Sequence, residues 1–204
     1  MERKTQTGFL FLADITGYTS FLASTELEHA NIALGYVLET LIEKLAGKLK
    51  IAKLEGDAVF AYLEDGRIDD CDEMMALVDD TYTAFRDKAI EVNAKRTCNC
   101  NACRSIPDLD LKFMVHLGEY IVQQVAGITD LLGSDVNLVH RLLKNGVTES
   151  TGWKGYALFT RPVLESLNGN KAEYVQQCET YEHLGEVDTF VVNMHPRYSA
   201  LKGS

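Results

Sequence analysis

Two aspartates stand where strand-like runs break. Asp14 follows the apolar run Phe9 to Ala13 in FLFLADITGYT, and Gly56-Asp57 divides two apolar runs in KLEGDAVFAY. A Gly-Asp break between two such runs predicts a β-hairpin with Asp57 at its turn. If the two strands lie side by side, both carboxylates leave one end of a sheet. Neighbouring carboxylates repel unless a cation lies between them. Hard divalent cations take oxygen ligands, typically one or two carboxylates plus substrate phosphates. The pair therefore points to metal-assisted phosphate chemistry.

Other chemistry-bearing residues accompany the pair. Lys53 lies three residues before Gly56, and Asp130 three before Gly133. In GSDVNLVHR, Asn137 and Arg141 are four apart, so a helix presents both on one face. Three cysteines crowd into CNCNAC (Cys98, Cys100, Cys103). Three thiolates can hold Zn²⁺ with a fourth ligand, such as His116 or a residue of another chain; a reduced or redox-sensitive loop is the equal alternative. Each residue alone has an ordinary reading: a strand-end or N-cap aspartate, a turn aspartate, a surface lysine, a loop carboxylate, half of a surface ion pair. Their joint order is the signal. No P-loop, Rossmann glycine fingerprint, HExxH or nucleophile elbow is present.

The elements that must position these residues follow from periodicity. Gly8 to Asp14 reads as a strand covered on both faces or centrally placed. Thr16 to Ser20 reads as a turn. Thr25 to Leu49 carries apolar residues at three- and four-residue spacing and reads as a helix ending at Gly47. Lys48 to Glu55 and Ala58 to Leu63 form the hairpin. Asp69 to Lys95 reads as a second long helix, acidic at its start and basic at its end. Residues 97–108 read as a cysteine-containing loop. Leu109 to Leu117 and Glu119 to Ala126 read as two strands hinged at Gly118, and Ser134 to Lys144 as a helix. A short strand (Gly155 to Phe159), a short helix (Arg161 to Leu167) and a last hairpin (Lys171 to Tyr181, Val187 to Met194) follow. The tail, residues 195–204, carries little signal. The order predicts one α+β domain over residues 1–204, with helices on one face of a mostly antiparallel sheet, ferredoxin-like.

The chain has 204 residues, 46% hydrophobic and 25% charged, which suits one globular domain. A net charge of −10 argues against nucleic acid or an anionic membrane as partner. No window approaches the roughly 18 apolar residues of a membrane span, and the apolar run after MERKTQTG is short for a signal peptide. A cytoplasmic location is expected, and the odd count of five cysteines suits a reducing compartment.

Together these motifs resemble the catalytic domain of class III adenylyl and guanylyl cyclases over roughly Gly8 to Val192. LADITGYT resembles the first metal motif, with Asp14 and the Ile15 carbonyl as ligands. KLEGDAVFA resembles the second, with Asp57. Lys53 and Asp130 match the base-reading pair of adenylyl-type members, and Asn137 and Arg141 match the catalytic asparagine–arginine pair. The resemblance implies the conversion of ATP to cyclic AMP and pyrophosphate with two Mg²⁺ or Mn²⁺ ions. It also implies a head-to-tail homodimer, in which Asp14 and Asp57 of one chain face Lys53, Asp130, Asn137 and Arg141 of the other. Regulation would come from an unidentified partner. CNCNAC together with VHRLLKN is similar to an uncharacterised bacterial branch of cyclase-like proteins.

Departures from the pattern sustain an alternative, a catalytically inactive cyclase-like module that binds a nucleotide or docks a protein. The family's phosphate-gripping lysine falls at Glu182, with His183, Lys144 or Lys171 as substitutes. Val139 and His140 replace small residues; His140 reads as a half-buried structural histidine, and Glu55 as outward-facing.

Overall fold

The computed structural model describes residues 4–64, 66–170, 172 and 174–203. Strand β1 (Gln6–Thr16) leads into helices α1 (Tyr18–Ser24) and α2 (Leu27–Ala46), then the hairpin β2 (Lys50–Glu55) and β3 (Ala58–Glu64). Helix α3 (Cys71–Ala94) and the short α4 (Asn101–Ser105) precede β4 (Asp110–Val125) and β5 (Ile128–Leu132). The chain continues through α5 (Ser134–Arg141), α6 (Val147–Thr151), β6 (Tyr156–Thr160), α7 (Arg161–Ser166), β7 (Val175–Tyr181), β8 (Gly185–Asn193) and α8 (Met194–Gly203). Seven strands run in the order β2-β3-β1-β4-β6-β8-β7, with β5 paired to β4 off this path. Among the described residues, only β4 and β6 pair in parallel.

The apolar run of β1 explains its central place. Phe9, Phe11, Ala13 and Ile15 enter one core with α2 and α3, while Leu10 and Leu12 enter a second core with α5. Alternate side chains of a strand point to opposite faces, so a continuous apolar run demands cover on both. The expectation of helices on one face is therefore corrected: Val136, Leu138, Val139, Leu142 and Val147 of α5, the turn after it and α6 cover the second face.

On the first face, α2 buries Ala30, Ala33, Leu34, Val37, Leu41 and Leu45. Its start shifts from Thr25 to Leu27 because Thr25 is extended and its hydroxyl donates to the Phe21 carbonyl at 2.8 Å, ending α1. Helix α3 is capped at both levels of its first turn. Asp70 Oδ1 accepts from the Glu73 amide at 2.8 Å, and Glu73 Oε2 accepts from the Asp69 amide at 3.2 Å.

Three further expectations change. The two strands hinged at Gly118 are one 16-residue strand, β4. Its first part pairs with β1 as far as Gln6↔Tyr120, and the remainder, Ile121 to Val125, pairs with β5. The 97–108 loop contains α4 and a 3-10 turn, Ile106–Asp108. The tail is α8, docked on α3 by Arg197 to Asp79 (Nε–Oδ1 2.8 Å) and by the Tyr198 hydroxyl to Asp87 at 2.9 Å.

Candidate functional site

Even-numbered residues of β1 from Leu10 to Asp14 and of β4 from Lys112 to Tyr120 share the sheet face that α5 covers. Asp14 lies in register with Ala58 on β3 and Lys112 on β4. Gly56 takes φ +67°, a conformation that favours glycine, and so lets β2 turn into β3 beside the end of β1. The Ile15 amide donates to the Asp57 carbonyl at 3.4 Å, tying the turn to β1. Ile15 is buried, with its side chain in the first core.

Burial pushes the Asp57 carboxyl pKa up, the charge of Asp14 pushes it further, and Lys112 pulls it down. The two carboxylates therefore feel each other, as the hairpin reading requires. Their oxygen donors fit Mg²⁺ or Mn²⁺, whose binding would relieve the repulsion. The residue that sequence reasoning missed is Lys112. Its ammonium is 3.2 Å from Asp14 Oδ2, with side chains 18% and 16% exposed, and it also donates to the Leu143 carbonyl at 3.3 Å. The signal was available: Leu111, Phe113 and Val115 face one core, which forces Lys112, Met114 and His116 to face the other.

A second group lies across the sheet on β2. Lys53 Nζ is 3.3 Å from Asp130 Oδ1 and 2.8 Å from Glu55 Oε1. Its ammonium stands over the Phe60 ring at 6.0 Å. Lys53 and Asp130 thus meet within one chain. Glu55 does not simply face outward, because the i, i+2 spacing on β2 puts it beside Lys53. It also lies 3.6 Å from His140 Nε2. His140 is half-buried, edge-on to Phe60 with centroids 4.7 Å apart, and burial lowers its pKa.

Helix α5 positions the third group. Asn137 and Arg141 are exposed, and among the described residues neither side chain makes a hydrogen bond or ion pair. The start of α5 presses on β4 at Gly118: a Cβ there would lie 2.5 Å from Asp135 side-chain atoms. Asp135 Oδ2 accepts from the Glu119 amide at 2.6 Å, and its Oδ1 lies 3.4 Å from His116 Nε2. His116 is buried, bonds Thr160 Oγ1 through Nδ1 at 2.8 Å, and has its pKa lowered by burial. It takes no part in the cysteine cluster, which corrects its candidacy as fourth ligand. His29 of α2 occupies that place instead.

Glu182 and His183 sit at the exposed tip of the β7–β8 hairpin, 3.4 Å from each other. Lys144 is exposed at the end of the turn after α5, and Lys171 lies outside the described residues. Cavities of about 320 Å³ (lined by Cys71, Tyr174 and Leu167) and about 460 Å³ (lined by His29, Cys98 and Cys103) do not touch the aspartate pair. The β4–β5 arm that carries Asp130 instead exposes Val125 and Leu132.

The fold is that of class III adenylyl and guanylyl cyclase catalytic domains. The guanylyl cyclase Cya2 matches with a TM-score of 0.73 and 15% identity over 94% of each chain. The adenylyl cyclase CyaB of P. aeruginosa matches with 0.68 and 17% identity, over 95% of this chain and 97% of that one. At these identities the likeness is one of fold. A family model described as "Protein of unknown function (DUF2652)" matches residues 34–151. An uncharacterized protein of Mycobacterium tuberculosis (strain ATCC 25618 / H37Rv), Rv2561/Rv2562, is 32% identical over 168 residues, covering 79% of this chain and 73% of its own. The chain belongs to the DUF2652 family. No helix among the described residues is long and apolar enough to cross a membrane.

Proposed function

We propose that the protein is a nucleotidyl cyclase that converts ATP to cyclic AMP and pyrophosphate at a homodimer interface. The observation that carries this reading is the electrostatic contact of Asp14 with Asp57 at the β2–β3 turn, with Asp14 on the sheet face that also carries the Lys53–Asp130 pair. Asp14 and Asp57 would hold one or two Mg²⁺ or Mn²⁺ ions, which when bound activate the ribose 3′-hydroxyl and neutralise the phosphates. Lys53 can donate to adenine N1 while Asp130 accepts from the N6 amine; guanine presents the opposite pattern, so the pair favours ATP. Arg141, permanently charged and without a side-chain partner among the described residues, suits the charge developing on the α-phosphate oxygens. Asn137, one turn earlier, orients the ribose.

Two features support a second chain. Asn137 and Arg141 carry their polar groups on the surface, and apolar Val125 and Leu132 are exposed on the β4–β5 arm that carries Asp130. A two-fold interface there would bury these residues and bring Arg141 to the partner's aspartates. Lys112 supplies a cation beside Asp14, in the region where phosphates would lie, and answers in part for the carboxylate at Glu182.

The ion pair of Lys112 with Asp14 also favours a second reading, a non-catalytic nucleotide-binding or docking module, since the ammonium already takes one metal-ligand oxygen. One experiment separates the two. Purified protein is incubated with Mn²⁺ and ATP, then with GTP, and cyclic products are sought by mass spectrometry, with Asp57→Ala as control. Cyclic AMP from the wild type alone supports the enzyme. ATP binding without product in either arm supports the module.

A further inference from the structure

Outside the aspartate site, three thiols and an imidazole converge. His29 Nδ1 lies 3.4 Å from Cys98 Sγ and 3.2 Å from Cys100 Sγ, and those sulfurs are 3.0 Å apart. With Cys103 Sγ, the four ligand atoms lie within 4.8 Å of one another. A tetrahedral zinc ion, with bonds of about 2.3 Å to sulfur and about 2.0 Å to nitrogen, sets ligand separations of roughly 3.5–3.8 Å. The three distances above fall just short of that range and no pair exceeds 4.8 Å, so small side-chain rotations complete the polyhedron. The closest sulfurs are far beyond the ~2.05 Å of a disulfide, and all three thiols are free.

The surroundings hold the ligands in place. Asn93 Nδ2 donates to the carbonyls of Cys103 and Arg104 at 3.0 and 2.9 Å, fastening the segment to α3. The Ala102 amide donates to Glu26 Oε2 at 3.2 Å, fastening it to the start of α2. The Cys103 amide donates to Cys100 Sγ at 3.4 Å, which fixes the orientation of that sulfur. The adjacent groove of about 460 Å³, lined by His29, Cys98 and Cys103, gives an ion a way in.

We propose that His29, Cys98, Cys100 and Cys103 form a closed, tetrahedral Cys₃His site for Zn²⁺. Four protein ligands leave no open position, so the ion is structural rather than catalytic. It joins α2 to a segment 69 residues downstream of His29 that leads into β4. The thiols release their protons on binding, and the ion contributes to folding. Nothing in this site depends on the cyclase reading.

The test is metal analysis of the full chain purified under reducing conditions with Zn²⁺ present. About one zinc per chain is expected in the wild type and in Cys178→Ser, whose exposed thiol lies outside the cluster. Cys100→Ser should fall to a small fraction of that, and His29→Ala should bind at least about tenfold more weakly. Co²⁺ in the wild type should show the visible bands of a tetrahedral ion with sulfur charge transfer. Because loss of a structural ion also weakens folding, chelation of the wild type is a separate arm: its melting temperature should fall and recover with Zn²⁺ but not Mg²⁺. A zinc-free wild type with three titratable thiols, a disulfide within the cluster, or unchanged zinc affinity in His29→Ala would overturn the assignment.

Discussion

Replacing Lys112 by Met removes an ammonium but keeps most of the stem that fills the space beside Met114. In the wild type that ammonium is 3.2 Å from Asp14 Oδ2, and both side chains are less than one-fifth exposed. At an effective dielectric constant of about 20 the direct attraction is roughly 5 kcal/mol, while removing one partner of a buried pair costs about 3–5 kcal/mol. With both groups retaining some exposure, the low end applies, about 3 kcal/mol. In a domain of this size that is a fall of about 6–12 °C in melting temperature. Asp57 should also take up its proton more readily, because Lys112 is the charge that pulls its pKa down. Divalent cations should then recover more stability in Lys112→Met than in the wild type, since no ammonium competes for Asp14. The gain reaches about 2.7 kcal/mol once free Mn²⁺ is a hundredfold above its dissociation constant. Differential scanning fluorimetry across a MnCl₂ titration measures both effects. A fall below about 2 °C without metal, or parallel Mn²⁺ responses in the two proteins, would refute the claim that Lys112 shares the metal site.

Two further outcomes are expected. Gly118→Ala places a Cβ 2.5 Å from Asp135, so α5 must shift, costing about 1–3 kcal/mol by overpacking; a urea midpoint equal to wild type would contradict the close approach. Asp57 binds a proton more tightly in the folded than in the unfolded chain, so its contribution to stability falls as pH rises from its ordinary value of 3.8 through the raised folded value. Asp57→Asn should remove that loss, making the metal-free protein at least as stable as wild type at pH 7 and insensitive to Mn²⁺. A destabilised Asp57→Asn protein that still responds to Mn²⁺ would refute this.

The strands and the places of their polar residues were legible because each rested on a local pattern. The unbroken apolar run of β1, the Gly56-Asp57 break and the i, i+4 spacing of Asn137 and Arg141 all fall within a dozen residues. Even the Lys53–Asp130 meeting, between residues 77 apart, was reached, but through family resemblance rather than through spacing. What escaped depends on contacts between distant segments. Strand β5 forms because β4 outruns β1, which no periodicity within Ile128 to Leu132 announces. Helix α8 owes its place to Arg197 and Tyr198 finding Asp79 and Asp87 on α3. His29 joins the cysteines only because α2 packs against the end of α3, so His116 was the wrong histidine. Lys112 was hidden differently: a lysine on a buried strand reads as an edge or surface residue until the opposite face is known to hold Asp14.

The composite site is the central claim, and complementation tests it most directly. Asp57→Ala and Arg141→Ala are each purified, shown to be dimeric and inactive, then mixed so that subunits exchange. In a two-fold dimer, half of the mixed dimers are heterodimers with one intact site of two, so about one-quarter of wild-type cyclase activity should return. An active wild type with no recovery in the exchanged mixture would put Asp57 and Arg141 in the same chain's site and contradict the account.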